Sequence, residues 1–398
     1  MQEGRRPLDG VRVLELASIV AGPFCGGLMA EFGAEVIKTE MPGRGDDIRR
    51  MGPQEEGVGY WWALENRGKK VFTLDLHHPE GQDIVKRLVS QVDVVLENFR
   101  PGVLERWNLG WETLSSINPR LIMARITAFG QTGPRSRGPG FAAIGSAFGG
   151  TWFLNGLSDQ PPVRPTPVYP DYLTGLFTAF GVMAALRYRD QTGEGQWIDA
   201  ALYESAFRVT EYSSTFYGRQ NVIRERGSRQ HVGWPGGACL TQDGHWVAYT
   251  APAQHLFARL CQMLGQPDLP RDERFATAEK RSQHLPLLMQ EIEAWFAARS
   301  YDDVEALLEQ YQVPYSRIMT MADIFADPHY RERNMVIDVP HPTLGTLPQP
   351  GVVPKLSRTP GRVSHAGATV GEHTEDILAN KLNLSQKEIA ALRQDGVI

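Results

Sequence analysis

Five short apolar runs recur within the first 130 residues, separated by stretches long enough to be helices: "VRVLELA" (11–17), "AEVIKTE" (34–40), "VFTLDL" (71–76), "VDVVLENF" (92–99) and "RLIMARITAFG" (120–130). Buried strands alternating with helices argue for βαβ units and a mainly parallel sheet, because parallel neighbours need a crossover. Such crossovers are right-handed and place ligands beyond the carboxyl ends of the strands. The spacing therefore predicts a Rossmann-like α/β domain with its site at those ends.

Beyond residue 187 the pattern changes. "RYRDQTGEGQWIDAALYESAF" reads as a turn, a short strand and a helix, and "YGRQNVIRERGSRQHVGWPGG" is polar and basic. A strand at 245–251 and helical segments to about 310 suggest a smaller α+β lobe over 222–325. The large domain then comprises 1–221 and 326–398. Within its second part, "HPTLGTLPQPGVVPKLSRTPGR" is too rich in Pro and Gly for a helix and should run extended across a surface.

Composition removes several classes of function. A formal charge of −5 and a pI near 6.1 supply no basic field for nucleic acid or an anionic membrane. Cys25, Cys239 and Cys261 are widely spaced with no CxxC pair, which suits a reducing compartment and argues against structural zinc or disulfides. The opening "MQEGRRPLDGVRVLEL" has no signal-peptide core, and no run of 18 residues is apolar enough to span a bilayer. The expectation is a cytoplasmic protein. Without HExxH, GxSxG or a Walker loop, metal, serine-nucleophile and P-loop chemistries have no anchor, and no resident metal or cofactor is expected. A dinucleotide fingerprint fails as well, since "AGPFCGG" places Pro23 where a backbone would have to hug a pyrophosphate.

Three constellations remain. "LENFRPGVLERWNLGWETL" sets Asn98, Phe99, Arg100 and Arg106 just past a strand end, where guanidinium forks suit phosphate; solvated loop arginines would look the same. "ITAFGQTGPRSRGPGFAAIGSAFGGTWF" is a glycine-rich segment carrying Arg135 and Arg137, open to a ligand or simply a surface loop. "YPDYLTGLFTAFGVMAAL" (169–186) places Asp171 at the mouth of an apolar helix. By local pattern Asp171 reads first as an N-cap. A carboxylate there can also be a nucleophile, kept ionised at neutral pH by the helix dipole.

Taken together, these blocks with "PLDGVRVLELASIVAGP", "GAEVIKTEMPGRGDDIR", "NRGKKVFTLDLHHPEG", "TGEGQWIDAALYES" and "GEHTEDIL" resemble the class III CoA-transferases, the formyl-CoA:oxalate and carnitine CoA-transferase family, nearly end to end. The resemblance implies that Asp171 attacks an acyl-CoA thioester, giving an aspartyl-acyl anhydride and then an aspartyl-CoA thioester. Coenzyme A would thus be a substrate and not a bound cofactor. It implies CoA contacts at Val20, Ala21, Leu74, His77, Asn98, Phe99, Arg100 and Arg106, with Arg137 substituting for a family lysine where Pro139 stands. Gly236 and Gly237 of "WPGG" would form a mobile loop over the substrate. It also implies a homodimer of interlocked chains. Arginines 44, 164, 226 and 229 with His231 suggest a small dicarboxylate acceptor and succinyl-CoA as donor. The α-methylacyl-CoA racemases share the fold, but their His-Asp pair is Phe141-Ala142 here, which leaves no base for α-proton chemistry. Racemase and formyl-CoA:oxalate-type transferase are the alternatives to a succinyl-CoA:dicarboxylate transferase.

Overall fold

The computed structural model describes residues 5–227 and 234–398. It divides into two compact units. The larger holds the residues through Asn155, Pro162–Ile223 and Arg331–Ile398; the smaller holds Gly156–Pro161 and Arg224–Tyr330.

The larger unit is built on six strands: β1 (Arg12–Glu15), β2 (Glu35–Glu40), β3 (Lys70–Thr73), β4 (Val94–Glu97), β5 (Ile122–Thr127) and β6 (Gln196–Ala201). All five pairings are parallel, and the spatial order is β3-β2-β1-β4-β5-β6. This is the doubly wound arrangement, and the order reverses between β1 and β4. The apolar runs are strands because period-two side chains feed two separate cores. Leu14, Ile37, Phe72, Val95 and Met123 face one layer, against Ile84, Val85 and Leu88 of a helix at Pro79–Val89. Val13, Val36, Val94, Ile122 and Ala124 face the other, against α1 (Ala21–Glu31) and a long helix at Tyr169–Thr192. A fully buried aliphatic side chain contributes about 1.5–3 kcal/mol, so these layers and not helix propensity fix the fold.

Three features differ from the sequence expectation. The helix opened by "YPDYLTGL" does not turn at 187; it runs through "RYRDQT" and stops at Gly193, whose φ of 82° and N–H to the Arg189 carbonyl close it. The glycine-rich segment is not simply a loop, since Ala142–Phe148 is helical. Its Gly145 and Gly149 lie where a Cβ would strike Leu202 and Tyr203–Ala206, so both permit close helix packing. The extended tail is half of a hairpin, in which Val336–His341 pairs antiparallel with Gly345–Pro350. Its prolines concealed the pairing.

The smaller unit pairs a three-stranded antiparallel sheet, in spatial order Tyr315–Arg317, Trp246–Thr250, Gly236–Leu240, with helices at Gln254–Met263, Ala278–Ala297 and Tyr301–Gln310. Its own core centres on Phe257, Leu288, Ile292, Phe296 and Val304.

Candidate active site

The topology alone locates a crevice beyond the carboxyl ends of β1 and β4, where neighbouring connections leave in opposite directions. A cleft of about 180 Å³ lies there, lined among others by Leu16, Ser18, Leu74, His77, Phe99 and Trp107. Asn98 clasps its floor: its Oδ1 accepts from Ser18 N–H at 2.9 Å and its Nδ2 donates to the Ser18 carbonyl at 2.7 Å. Trp107 meets His77 and Phe99 edge-on, with ring centroids 4.8 and 5.2 Å apart. Asp75 lies 2.9 Å from His77 Nδ1. Leu74, His77, Asn98 and Phe99 of the sequence reading therefore come together. Trp107 was missed there, although the tryptophans of "ERWNLGW" were its signal.

The turn after β1 leads to α1. Val20 and Ala21 are 2% and 4% exposed, and neither is part of the cleft lining. No side chain caps α1. Ile19, just before it, has φ 69°. That conformation costs a β-branched residue roughly 1–2 kcal/mol. Its N–H donates to both carboxylate oxygens of buried Asp46, each at 3.2 Å. Hydrogen bonds to a charged group contribute about 1.5–3 kcal/mol, enough to hold the turn. Asp46 in turn accepts from Lys38 Nζ at 2.9 Å. Lys38 also reaches Glu15 at 3.1 Å, and Lys69 reaches Glu15 at 2.9 Å, so two carboxylates and two ammoniums balance out of water.

Asp171 sits in the first turn of the Tyr169–Thr192 helix, which α1 approaches closely at Gly175. A Cβ there would lie 2.7 Å from the Ala21 carbonyl and 2.9 Å from the Phe24 ring. Val168 and Tyr172, on either side of the acid, pack with Ile19 and Val20, and Tyr172 meets Phe24 edge-on at 4.9 Å. The helix start thus rests on the switch-point turn. Two expectations are corrected here. Asp171 does not cap the helix: Val168 holds the N-cap position, and no side chain there makes a capping bond. Nor is its carboxyl kept well ionised. Half-burial, and then the charge of Glu65, push it from the usual 3.8 up to about 7. Glu65 is 4% exposed and accepts from the Tyr172 hydroxyl at 2.8 Å and the Trp61 indole N–H at 3.2 Å. Burial raises its pKa too, against the pull of Tyr172 and Lys69. Nothing near Asp171 in the sequence announced Glu65.

The other sequence candidates are scattered. Arg100 and Arg106 are exposed beyond β4, and Arg137 is exposed in the glycine-rich segment. Among the described residues, none of the three belongs to the cleft lining. On β5 itself stands an arginine that sequence reasoning overlooked: buried Arg125 bonds Glu97 at 2.7 Å and Glu105 at 2.8 Å, and Glu97 accepts from Phe99 N–H at 2.7 Å. Gly236 and Gly237 are not a loop; they open a strand and pair with Thr250 and Tyr249, because backbone partners stand opposite both. Of the arginines suggested for a carboxylate, Arg44 lines the cleft and pairs with Asp47 at 2.7 Å. Arg164 is exposed and Arg226 lies in the smaller unit. Arg229 and His231 lie outside the described residues. Among the described residues, no group of three or more His, Cys, Asp or Glu could hold a metal, and no helix is long and apolar enough to cross a membrane.

A doubly wound sheet with an aromatic-walled cleft and a partly desolvated carboxylate at its switch point is an α/β enzyme scaffold suited to acyl transfer. The chain belongs to the CoA-transferase family III, matched over residues 8–374, and is a CoA-transferase. It is 44% identical to the succinyl-CoA–D-citramalate CoA-transferase of Chloroflexus aurantiacus, covering 100% of this chain and 99% of that one. It is 43% identical to the succinyl-CoA–L-malate CoA-transferase beta subunit of the same organism, covering 98% of each. A CAIB/BAIF family protein from Brucella suis shares the fold at a TM-score of 0.84 and 34% identity, over 95% of this chain and 100% of that chain.

Proposed function

We propose that this enzyme moves CoA from succinyl-CoA to a small dicarboxylic acid, with Asp171 as nucleophile. The observation that carries the reading is a carboxylate held beside the switch-point turn with no hydrogen bond to its oxygens among the described residues. Desolvation leaves such an oxygen strongly nucleophilic once ionised. An Asp171 oxygen attacks the thioester carbonyl, the C–S bond breaks, and CoA leaves as thiolate. The thiolate attacks the aspartyl carbonyl of the resulting anhydride and releases succinate, leaving an aspartyl-CoA thioester. The acceptor carboxylate attacks that thioester, forming a second anhydride. The returning thiolate attacks its acyl carbonyl, so Asp171 is regenerated as the new CoA ester departs. Backbone N–H groups of the uncapped helix start at Val20 and Ala21 are the candidate donors for the oxyanions. Leu74, His77, Asn98 and Phe99 receive the CoA arm, and Arg100, Arg106 and Arg137 stand for its phosphates.

The substrate class follows from the relatives' activities and from Arg44 at the cleft. The working unit is a homodimer. Leu176, Phe177 and Phe180 on one face of the nucleophile's helix are 52%, 42% and 72% exposed, which suits a covered surface. The test is to incubate the protein with succinyl-CoA and citramalate, malate, mesaconate, itaconate or glutarate, and weigh the CoA esters formed. A new dicarboxylyl-CoA is the expected product. No new ester with any acid would refute the substrate reading, and a monomer by light scattering would refute the assembly.

A further inference from the structure

Ile19 is a β-branched residue at φ 69° one position before the turn that carries Val20 and Ala21. Strain of this kind persists only where surrounding structure enforces it. Here the enforcement is visible. Ile19 N–H lies 3.2 Å from each Asp46 oxygen, and the Lys38 ammonium fixes that carboxylate at 2.9 Å. The loop bearing Asp46 is itself tied down. Asp46 N–H donates to Glu40 at 2.8 Å, and Glu40 takes two bonds of 2.7 Å from Arg49. Asp46 Oδ1 also accepts from Ile48 N–H at 3.1 Å. Lys38 is anchored on its far side by Glu15 and by the Ala17 carbonyl at 2.6 Å. Asp46 and Ser18 both line the cleft, so the clamp sits at the site.

We propose that Asp46 is a positioning residue that holds Ile19 in its left-handed conformation, and so sets the Val20–Ala21 backbone against Asp171 for acyl transfer. This rests on the assignment of Asp171 and the turn given above. Without the clamp, residue 19 relaxes toward negative φ and the turn shifts under the nucleophile's helix. A shift of that kind slows the chemistry more than it weakens CoA binding.

The test removes clamp and counter-ion together, so that no lone buried charge remains. Lys38→Met/Asp46→Ala should fold, lose about tenfold or more in kcat, and show faster amide exchange over residues 16–22. Adding Ile19→Gly, which accepts positive φ freely, should recover most of the lost kcat. A double variant that turns over like the wild type overturns the proposal, as does a loss that Ile19→Gly leaves untouched. If the double variant does not fold, Asp46→Asn serves instead, with a smaller loss and the same rescue expected. Were the wild type to transfer no CoA, the functional reading would fail, while exchange at 16–22 would still judge the clamp.

Discussion

Two groups of buried charge flank the turn after β1, and they are built on opposite principles. On one side Glu15 and Asp46 face Lys38 and Lys69, with contacts between 2.9 and 3.2 Å. Lys38 is pushed upward by Asp46 and Glu15 against its own burial, and Asp46 is held below the usual carboxylate range despite burial. On the other side Asp171 and Glu65 are two desolvated carboxyls near one another, with neutral donors on Glu65 and no hydrogen bond to Asp171 among the described residues. A balanced network fixes backbone; an unbalanced pair keeps an oxygen reactive. On the proposed mechanism, the first aims the second.

The largest effect is expected on the unbalanced side. Asp171→Ala should lower transfer by about a thousandfold or more with the fold intact, since no other nucleophile replaces a covalent route; steady-state assay with circular dichroism checks it. On the balanced side, Lys38→Met strands Asp46 without its counter-ion. It should cost about 3–5 kcal/mol in a denaturant melt, the usual penalty for breaking a buried pair.

The third expectation has the opposite sign. An acid whose folded pKa is raised binds its proton more tightly when folded, so its stability contribution is lost as pH climbs from near 3.8 toward 7. Asp171→Asn in freshly made protein should therefore gain on the order of 2 kcal/mol at pH 8, a discount on the full shift. Near pH 4 it should gain almost nothing. Equal midpoints at pH 8 would count against the unbalanced reading. The smallest expected effect is on the pH dependence of transfer. With Asp171 as the proposed nucleophile, which must be ionised to attack, kcat/KM should fall as pH drops through about 7. Glu65→Gln should carry that midpoint downward by about half a unit or more, as removal of a nearby like charge does.

How much of this was readable in the chain follows from locality. The strands were legible because each is a short apolar run between helices, and their order then fixed the crevice. Asp171 was legible as a residue at a helix mouth. Its near-neutral pKa was not, because it comes from burial in the fold and then from Glu65 of another helix. Asp46 looked like one more polar residue in "PGRGDDIR", since its meaning lies in the backbone of Ile19 across the sheet end. "RYRDQT" was misread as a turn because its polar residues concealed the continuing helix, though Gly193 stood where the helix stops. Gly145 and Gly149 looked like flexibility and proved to be close packing.

A covalent route leaves an enzyme-bound adduct that a mass measurement can find. The protein is incubated with succinyl-CoA alone, quenched in acid and digested. A CoA adduct is expected on the peptide carrying Asp171, absent from Asp171→Ala and discharged when an acceptor acid is added. An adduct on any other residue, or steady turnover with no adduct at Asp171 at any time, would contradict it.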